Sequence, residues 1–280
     1  MISHGLHSTA LVAVCLLLLN ACEKSHQPVR PKTPSEQKQP TAADNIRIHP
    51  SVDVLPANHL KFYIEFPAPM ARGDIFQYFS LIENESGDAV PDPFREIELW
   101  DESARRLTLW FHPGRQKPGV NLNIDIGPIL EEGKNYTLIL SGKWQSETGQ
   151  LLGKDVKKTF RAGSVDNSQP DPEKWQYSIP AAGSSAALTI TFPAPLDYAL
   201  IPRTIQVRSD HNSQIKSSHD GQSIHFTPTS PWKAGQIKID IAPILEDLAG
   251  NSIARPFNLD LQSTPELPKP TTVTKSFTIK

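Results

Sequence analysis

Residues 60–70 read LKFYIEFPAPM, and residues 188–196 read LTITFPAPL. In each, apolar and mostly polar residues alternate up to a phenylalanine, and Pro-Ala-Pro follows. Period-two alternation marks a half-buried strand with one row of side chains toward a core and the other toward water. The paired prolines withdraw backbone donors, so the strand must stop there and the Phe closes its inward row. LTLWF at residues 107–111 and IKIDI at residues 237–241 repeat the pattern. The 26 prolines and 15 glycines punctuate these short runs, and no amphipathic helix of about ten residues stands out. The implied fold class is all-β, with two tandem antiparallel sandwiches.

Two further repeats set the register. IDIGPILE at residues 124–131 matches IDIAPILE at residues 239–246 in seven of eight letters. An offset of 115 aligns these octads and, without a gap, also aligns LWFHP at residues 109–113 with IHFTP at residues 224–228. A second register aligns Gly133 with Gly235 and Gly149 with Gly250, giving glycine-to-glycine spans of 16 and 15 residues. The second register is expected to govern the fold. In either register the octads read as strand plus turn, with Asp125 and Asp240 toward water. From Phe66 to Phe111 is 45 residues, whereas from Phe192 to Phe226 is 34, so the first unit carries an insert of 11 between Ala71 and Arg106.

The strand, F-P-A-P with Met or Leu, turn glycine and LEDLAGN at residues 245–251 together resemble the bacterial Ig-like domain of the SbsA surface-layer type. The first unit has QSETGQ at residues 145–150 in the place of LEDLAGN. The resemblance spans nearly all of residues 46–262 and implies Ig-like sandwiches. The chain is also similar to exported proteins sharing V-P-x-N-x-L-x-F-Y-I-x-F, here from Val54 to Phe66, with ELWD at residues 98–101, RRLTL at residues 105–109 and PGRQK at residues 113–117. That group implies no activity.

The N-terminus has a short polar region, an apolar stretch at residues 11–19, and LNAC at residues 19–22. Nine apolar residues fall short of the roughly 20 a membrane-spanning helix needs, which suits a cleavable export signal. Leu19 to Cys22 resembles a lipobox, implying lipidation of Cys22, and Glu23 leans toward the outer membrane. The chain has two cysteines, Cys15 and Cys22, so the exported body must stand without disulfides or thiol ligands. Residues 23–45 are rich in Pro, Gln, Lys and Ser and read as a disordered tether of roughly 25 Å. The expected domains are residues 46–163 and 173–280, joined by a linker at 164–172. The tail at residues 263–270 is polar and proline-rich, and residues 273–279 alternate as a last strand.

Candidate chemistry is sparse. Net charge is −2 and no basic run occurs, so no nucleic-acid partner is expected. Arg105, Arg106, Arg115 and Lys117 could form an anion-binding edge, though a solvated hairpin with a Pro-Gly turn is the plainer account. Tyr63 and Trp110 sit at the polar phase of their strands, and Phe94 and Trp100 lie in the insert. With Arg106 and Arg115 they form the candidate binding surface, because inserts on a sandwich are common binding sites. Packing at a domain seam or sheet edge is the competing account. His211, His219, Asp220 and His225 lack metal-ligand spacing, and Asp166, Asp171 and Glu173 lack a calcium-loop pattern. No metal or cofactor is expected. No G-x-S-x-G or ordered triad is present, so no enzyme is expected.

The resulting expectation is a monomeric, non-catalytic envelope lipoprotein, held to the outer membrane through Cys22. Its Ig-like domains would be a binding or structural module for an unidentified envelope protein or glycan. An accessory or assembly factor, and then a hydrolase using surface carboxylates, are the alternatives.

Overall fold

The computed structural model describes residues 42–117, 119, 121–211, 214–258 and 270–280. The signal segment, Cys22, residues 23–41 of the expected tether and residues 263–269 of the tail lie outside the described residues. Ala42–Asn45, expected as the end of the tether, form a 3-10 turn instead, and Ala43 is buried in the first core.

The first unit is built from β1 (Arg47–His49), β2 (Val54–Pro56), β3 (Lys61–Glu65), β4 (Phe79–Glu83), β5 (Leu99–Trp100), β6 (Arg106–Trp110), β7 (Asn135–Leu140) and β8 (Val156–Gly163). These strands form two sheets in the orders β1-β3-β6-β5 and β2-β8-β7-β4. The second unit comprises β9 (Gln176–Ser178), β10 (Leu188–Thr191), β11 (Ile205–Ser209), β12 (Ile215–His219), β13 (Ser223–Pro228), β14 (Gly235–Ile241) and β15 (Val273–Ile279). Its sheets run β9-β10-β13-β12 and β11-β14-β15. With β2 set aside and the remaining strands counted in chain order, both units place first, second, fifth and fourth strands on one sheet and third, sixth and seventh on the other. This is the strand order of an immunoglobulin constant-type sandwich. The protein is all-β, with each alternating run a strand.

One pair departs from the antiparallel expectation. β2 lies parallel to β8. The chain leaves the β1 sheet after His49, and β2 joins the other sheet; the His49-Pro50 peptide between them is cis. The described residues of the second unit hold no counterpart of β2.

Each unit has its own core. Phe62, Ile64, Leu107, Leu109, Leu138 and Phe160 fill the first, and Leu188, Ile190, Ile224, Phe226, Ile237 and Ile239 fill the second. Full burial of such side chains contributes roughly 1.5–3 kcal/mol each.

Pairing settles the register. Ile64 opposes Leu107 and Ile190 opposes Ile224, so the counterpart of Ile224 is Leu107, at an offset of 117 rather than 115. Met70 bridges Ser146 and Leu196 bridges Asp247, so the turns after β7 and β14 correspond at an offset of 101. The second of the two registers therefore describes the fold. The first insert is nine residues by this count, not 11. A second insert of sixteen residues, unread in the sequence, lies between β6 and β7. It holds two short helices, α1 (Pro113–Gln116) and α2 (Asn121–Ile126).

That insert overturns the reading of the first octad. Ile239 and Ile241 lie buried on β14, whereas Ile124 is 68% exposed on α2. Displaced from the sheet, the 121–126 segment has no strand to pair with and satisfies its backbone by helical bonds. Gly127 closes the turn at φ +76°, with its N–H on the Asn123 carbonyl.

Candidate functional site

The six residues expected on a binding surface do not share a face. Phe94 is 8% exposed and stacks on Phe111 at 5.8 Å in the first core. It also borders an open groove of about 550 Å³ walled by Phe76, Phe79, Val90 and Pro93. Trp100 is half-buried against Phe66 and Trp144, with its indole N–H on Glu98. Arg115, read as part of an anion edge, is 2% exposed. Pro113-Gly114-Arg115 is a helical turn, and the guanidinium donates to the carbonyls of Gly127 (3.0 Å), Pro128 (2.8 Å) and Pro91. Arg115 thus staples the two inserts together, and its donors are spent on carbonyls. The anion edge does not form.

Tyr63, Trp110 and Arg106 do lie on one outward sheet face, but that face is covered. Because β3 alternates, Phe62 and Ile64 enter the core while Lys61, Tyr63 and Glu65 point away from it. The second unit docks on this row. Its contact segments are the residues after the second F-P-A-P and the turn LEDLAGN. The ammonium of Lys61 lies 2.6 Å from Asp197 Oδ2 and 2.8 Å from Glu246 Oε2. The Tyr63 hydroxyl donates to the Asp197 carboxylate at 2.8 Å. Arg106 lies over the Tyr63 ring and Lys61 over the Trp110 ring, with 6.0 and 5.3 Å to the centroids. Tyr198 donates to Glu65 at 3.3 Å and stacks on His49 at 3.7 Å, while His219 approaches its ring at 4.5 Å.

Asp197 is positioned by its own loop. It accepts the N–H groups of Ala199 and Leu200 at 3.1 Å, where the chain enters α3 (Ile201–Thr204). The carboxylate thereby ties a helical turn of its own unit to the ammonium and hydroxyl of the other.

A second strip of contacts runs alongside. Leu60 N–H donates to the Leu248 carbonyl at 3.0 Å, and the Leu248 side chain joins the first unit's core. Asn58 makes a two-way pair with the backbone of Asp166, at 2.7 and 2.9 Å, and Asn251 donates to the same carbonyl at 3.1 Å. Asp166, considered above as a cation ligand, instead gives its backbone to both units. Asp171 caps Glu173 N–H, and Glu173 pairs with Lys275.

The docking turn is shaped by Asp247, which accepts from Ala249 N–H at 2.8 Å and from Asn251 N–H at 2.9 Å. Ser146 does the lesser equivalent in the first unit, accepting from Gln150 N–H at 3.2 Å. This is why QSETGQ substitutes for LEDLAGN without changing the turn. Gly250, at φ +83°, lies against the other unit, and a side chain there would strike Leu60 Cδ1.

The electrostatics are those of a clasp. Burial alone would drive the Lys61 ammonium down, but the charges of Asp197 and Glu246 outweigh it and hold Lys61 above its ordinary value. Burial, with the Asp197 charge beside it, pushes the Tyr63 hydroxyl well up. Both groups are kept protonated and have neither the exposure nor the pKa for proton transfer near neutrality. Two carboxylates do meet here, yet one ammonium lies between them and Asp197 is 2% exposed.

Lys61, Asp197, Tyr198, Glu246 and His49 were not singled out from sequence. A signal existed in the repeats: the outward row Lys61, Tyr63, Glu65 corresponds to Ala187, Thr189, Thr191 in the second unit. Long polar and aromatic side chains at solvent-phase positions of one repeat, replaced by short ones in the other, mark a covered face.

Among the described residues no helix is long and apolar enough to cross a membrane. No protein-family model and no curated protein matches the chain. Among solved structures it is similar to domains 1–6 of the surface-layer protein SbsC, at 14% identity and TM-score 0.28, over 65% of this chain and 22% of that one. It is also similar to an Escherichia coli alpha-2-macroglobulin fragment spanning domains MG0-NIE-MG1, at 10% identity and TM-score 0.28, over 69% and 65% of the two chains. The titin domains z1z2, solved in complex with telethonin, align at 10% identity and TM-score 0.22, over 84% and 94%. TM-scores of this size carry no argument, and the fold assignment rests on strand order.

Proposed function

We propose that the chain is a non-catalytic lipoprotein of the cell envelope whose two sandwiches act as one rigid structural arm. The arm is tethered to the outer membrane through Cys22. The observation that carries the reading is the buried Lys61–Asp197–Tyr63 clasp across the two units. Inter-domain surfaces that are free to move are ordinarily polar and wet. Here Lys61, Tyr63 and Asp197 are 9%, 6% and 2% exposed, and Leu248 of one unit fills the core of the other. The clasp occupies the face on which Tyr63 and Trp110 would have met a ligand, which favours a spacer or scaffold over a binder using those aromatics.

Pulsed electron paramagnetic resonance tests this. Spin labels at the exposed positions Glu85→Cys and Lys216→Cys, in the mature chain with Cys22→Ser, should give one narrow distance distribution. Adding Lys61→Ala should broaden it. A broad distribution in the parent chain would sink the rigid-arm reading.

A further inference from the structure

Beside the clasp lies a cavity of about 290 Å³ lined by Lys117, Glu246, Gly250, Ser252, Arg255, Pro256 and Phe257. It is built from both units. Lys117 is the C-terminal cap of α1 in the second insert, and the other residues belong to the docking turn and the segment after it. Among the described residues, neither the Lys117 ammonium nor the Arg255 guanidinium has a side-chain partner. This contrasts with Lys61, held by two carboxylates, and Arg115, whose guanidinium donates to backbone carbonyls. Glu246 has one oxygen on Lys61 at 2.8 Å. Phe257 is fixed by its N–H on Asn251 Oδ1 at 3.0 Å, and its ring lies against Gly250.

The chemistry of these walls selects a ligand class. Two unpaired cations from opposite units suit an anion, and an arginine fork suits a carboxylate. The Glu246 carboxylate in the same cavity disfavours a dianion such as phosphate but tolerates a single negative charge. The Phe257 ring and Pro256 offer an apolar wall, and the volume suits a body the size of an amino acid or dipeptide. Domain seams are common places for such sites.

We propose that this seam cavity binds small organic carboxylates bearing an apolar group. The carboxylate lies between Lys117 and Arg255, and the apolar group lies against Phe257. Occupancy would bridge the two units, adding to the clasp without depending on it.

The test is a titration of the full mature chain, followed by nuclear magnetic resonance, with three probes: N-acetyl-phenylalanine, its neutral amide and inorganic phosphate. N-acetyl-phenylalanine should saturate, with shifts centred on Lys117 and residues 246–257. The amide should bind at least about tenfold more weakly, and phosphate more weakly still. Lys117→Gln and Arg255→Gln should each weaken the acid by about tenfold and leave thermal unfolding of the unliganded protein unchanged, because neither side chain has a partner to lose among the described residues. Equal binding of acid and amide, tighter binding of phosphate, or no saturation with N-acetyl-phenylalanine would overturn the proposal.

Discussion

The ammonium of Lys61 and the carboxylate of Asp197 meet at 2.6 Å across the seam of the two sandwiches, with both side chains more than nine-tenths buried. A surface ion pair contributes at most about 1 kcal/mol. A buried pair behaves differently, because removing one partner strands the other without water.

Lys61→Ala is therefore expected to cost about 3–5 kcal/mol in urea unfolding. The double variant Lys61→Met, Asp197→Asn removes both charges and keeps an acceptor for the Tyr63 hydroxyl. It should be more stable than the sum of its single changes by at least about 1.5 kcal/mol. Strict additivity would mean that the two groups do not interact as the geometry requires.

Gly149 and Gly250 occupy the same turn in the two units, at φ +82° and +83°. Nothing lies within 4 Å of a side chain at Gly149, while one at Gly250 would meet Leu60 of the other unit. Gly149→Ala should cost about 1–2 kcal/mol, the penalty of the left-handed conformation alone. Gly250→Ala should cost visibly more and also widen the interdomain distance distribution. Equal costs would show that the turn does not dock.

Acid should weaken the first unit and the seam. His59 is fully buried, no well-formed hydrogen bond reaches its ring, and burial lowers its pKa from 6.5 to about 3. The unfolded chain thus takes up a proton that the folded chain refuses, so stability falls as pH drops from 6.5 toward 3. One such group gives a slope of about 1.4 kcal/mol per pH unit. Burial also lowers His49 and His219, which flank Tyr198, and adds to the loss. Asp247 opposes it: burial raises its carboxyl to about 6, so between 3.8 and 6 the folded state holds the extra proton. Three histidines against one carboxyl leave a net loss toward acid. Unfolding midpoints measured from pH 7 to 4 should decline, and His59→Phe should flatten that decline. An unchanged slope in the variant would refute the assignment.

Phe94→Ala should act on stability, costing about 3–5 kcal/mol as a core truncation. A variant with wild-type unfolding would contradict its placement against Phe111 and Phe79.

Strands β3, β6, β10, β14 and β15 were legible because each lies in a run that alternates over five to seven residues, and the prolines of F-P-A-P end two of them by chemistry that needs no partner. The clasp was less legible. Lys61, Tyr63 and Glu65 look like the solvent row of β3, and nothing local says that a segment some 130 residues later will cover them. Arg105 to Lys117 misled for the opposite reason. A Pro-Gly between strand-like runs suggests a hairpin, yet the sixteen-residue insert lets His112 accept the Gly114 N–H at 3.2 Å and start a helical turn. The octads coincided in letters but not in place, because composition repeats more readily than pairing.

The docking of one unit on the next is head-to-tail, since the outward row of β3 meets a loop pair on a different surface of its neighbour. Contacts of that kind can in principle propagate without closure. Propagation would need Lys61, Tyr63 and Glu65 again on the second unit, where Ala187, Thr189 and Thr191 stand. It would equally need Asp197, Tyr198 and Glu246 on the first, where Ala71, Arg72 and Gln145 stand. Each unit thus keeps half of the coupling and lacks the other half, so the pair saturates itself at two.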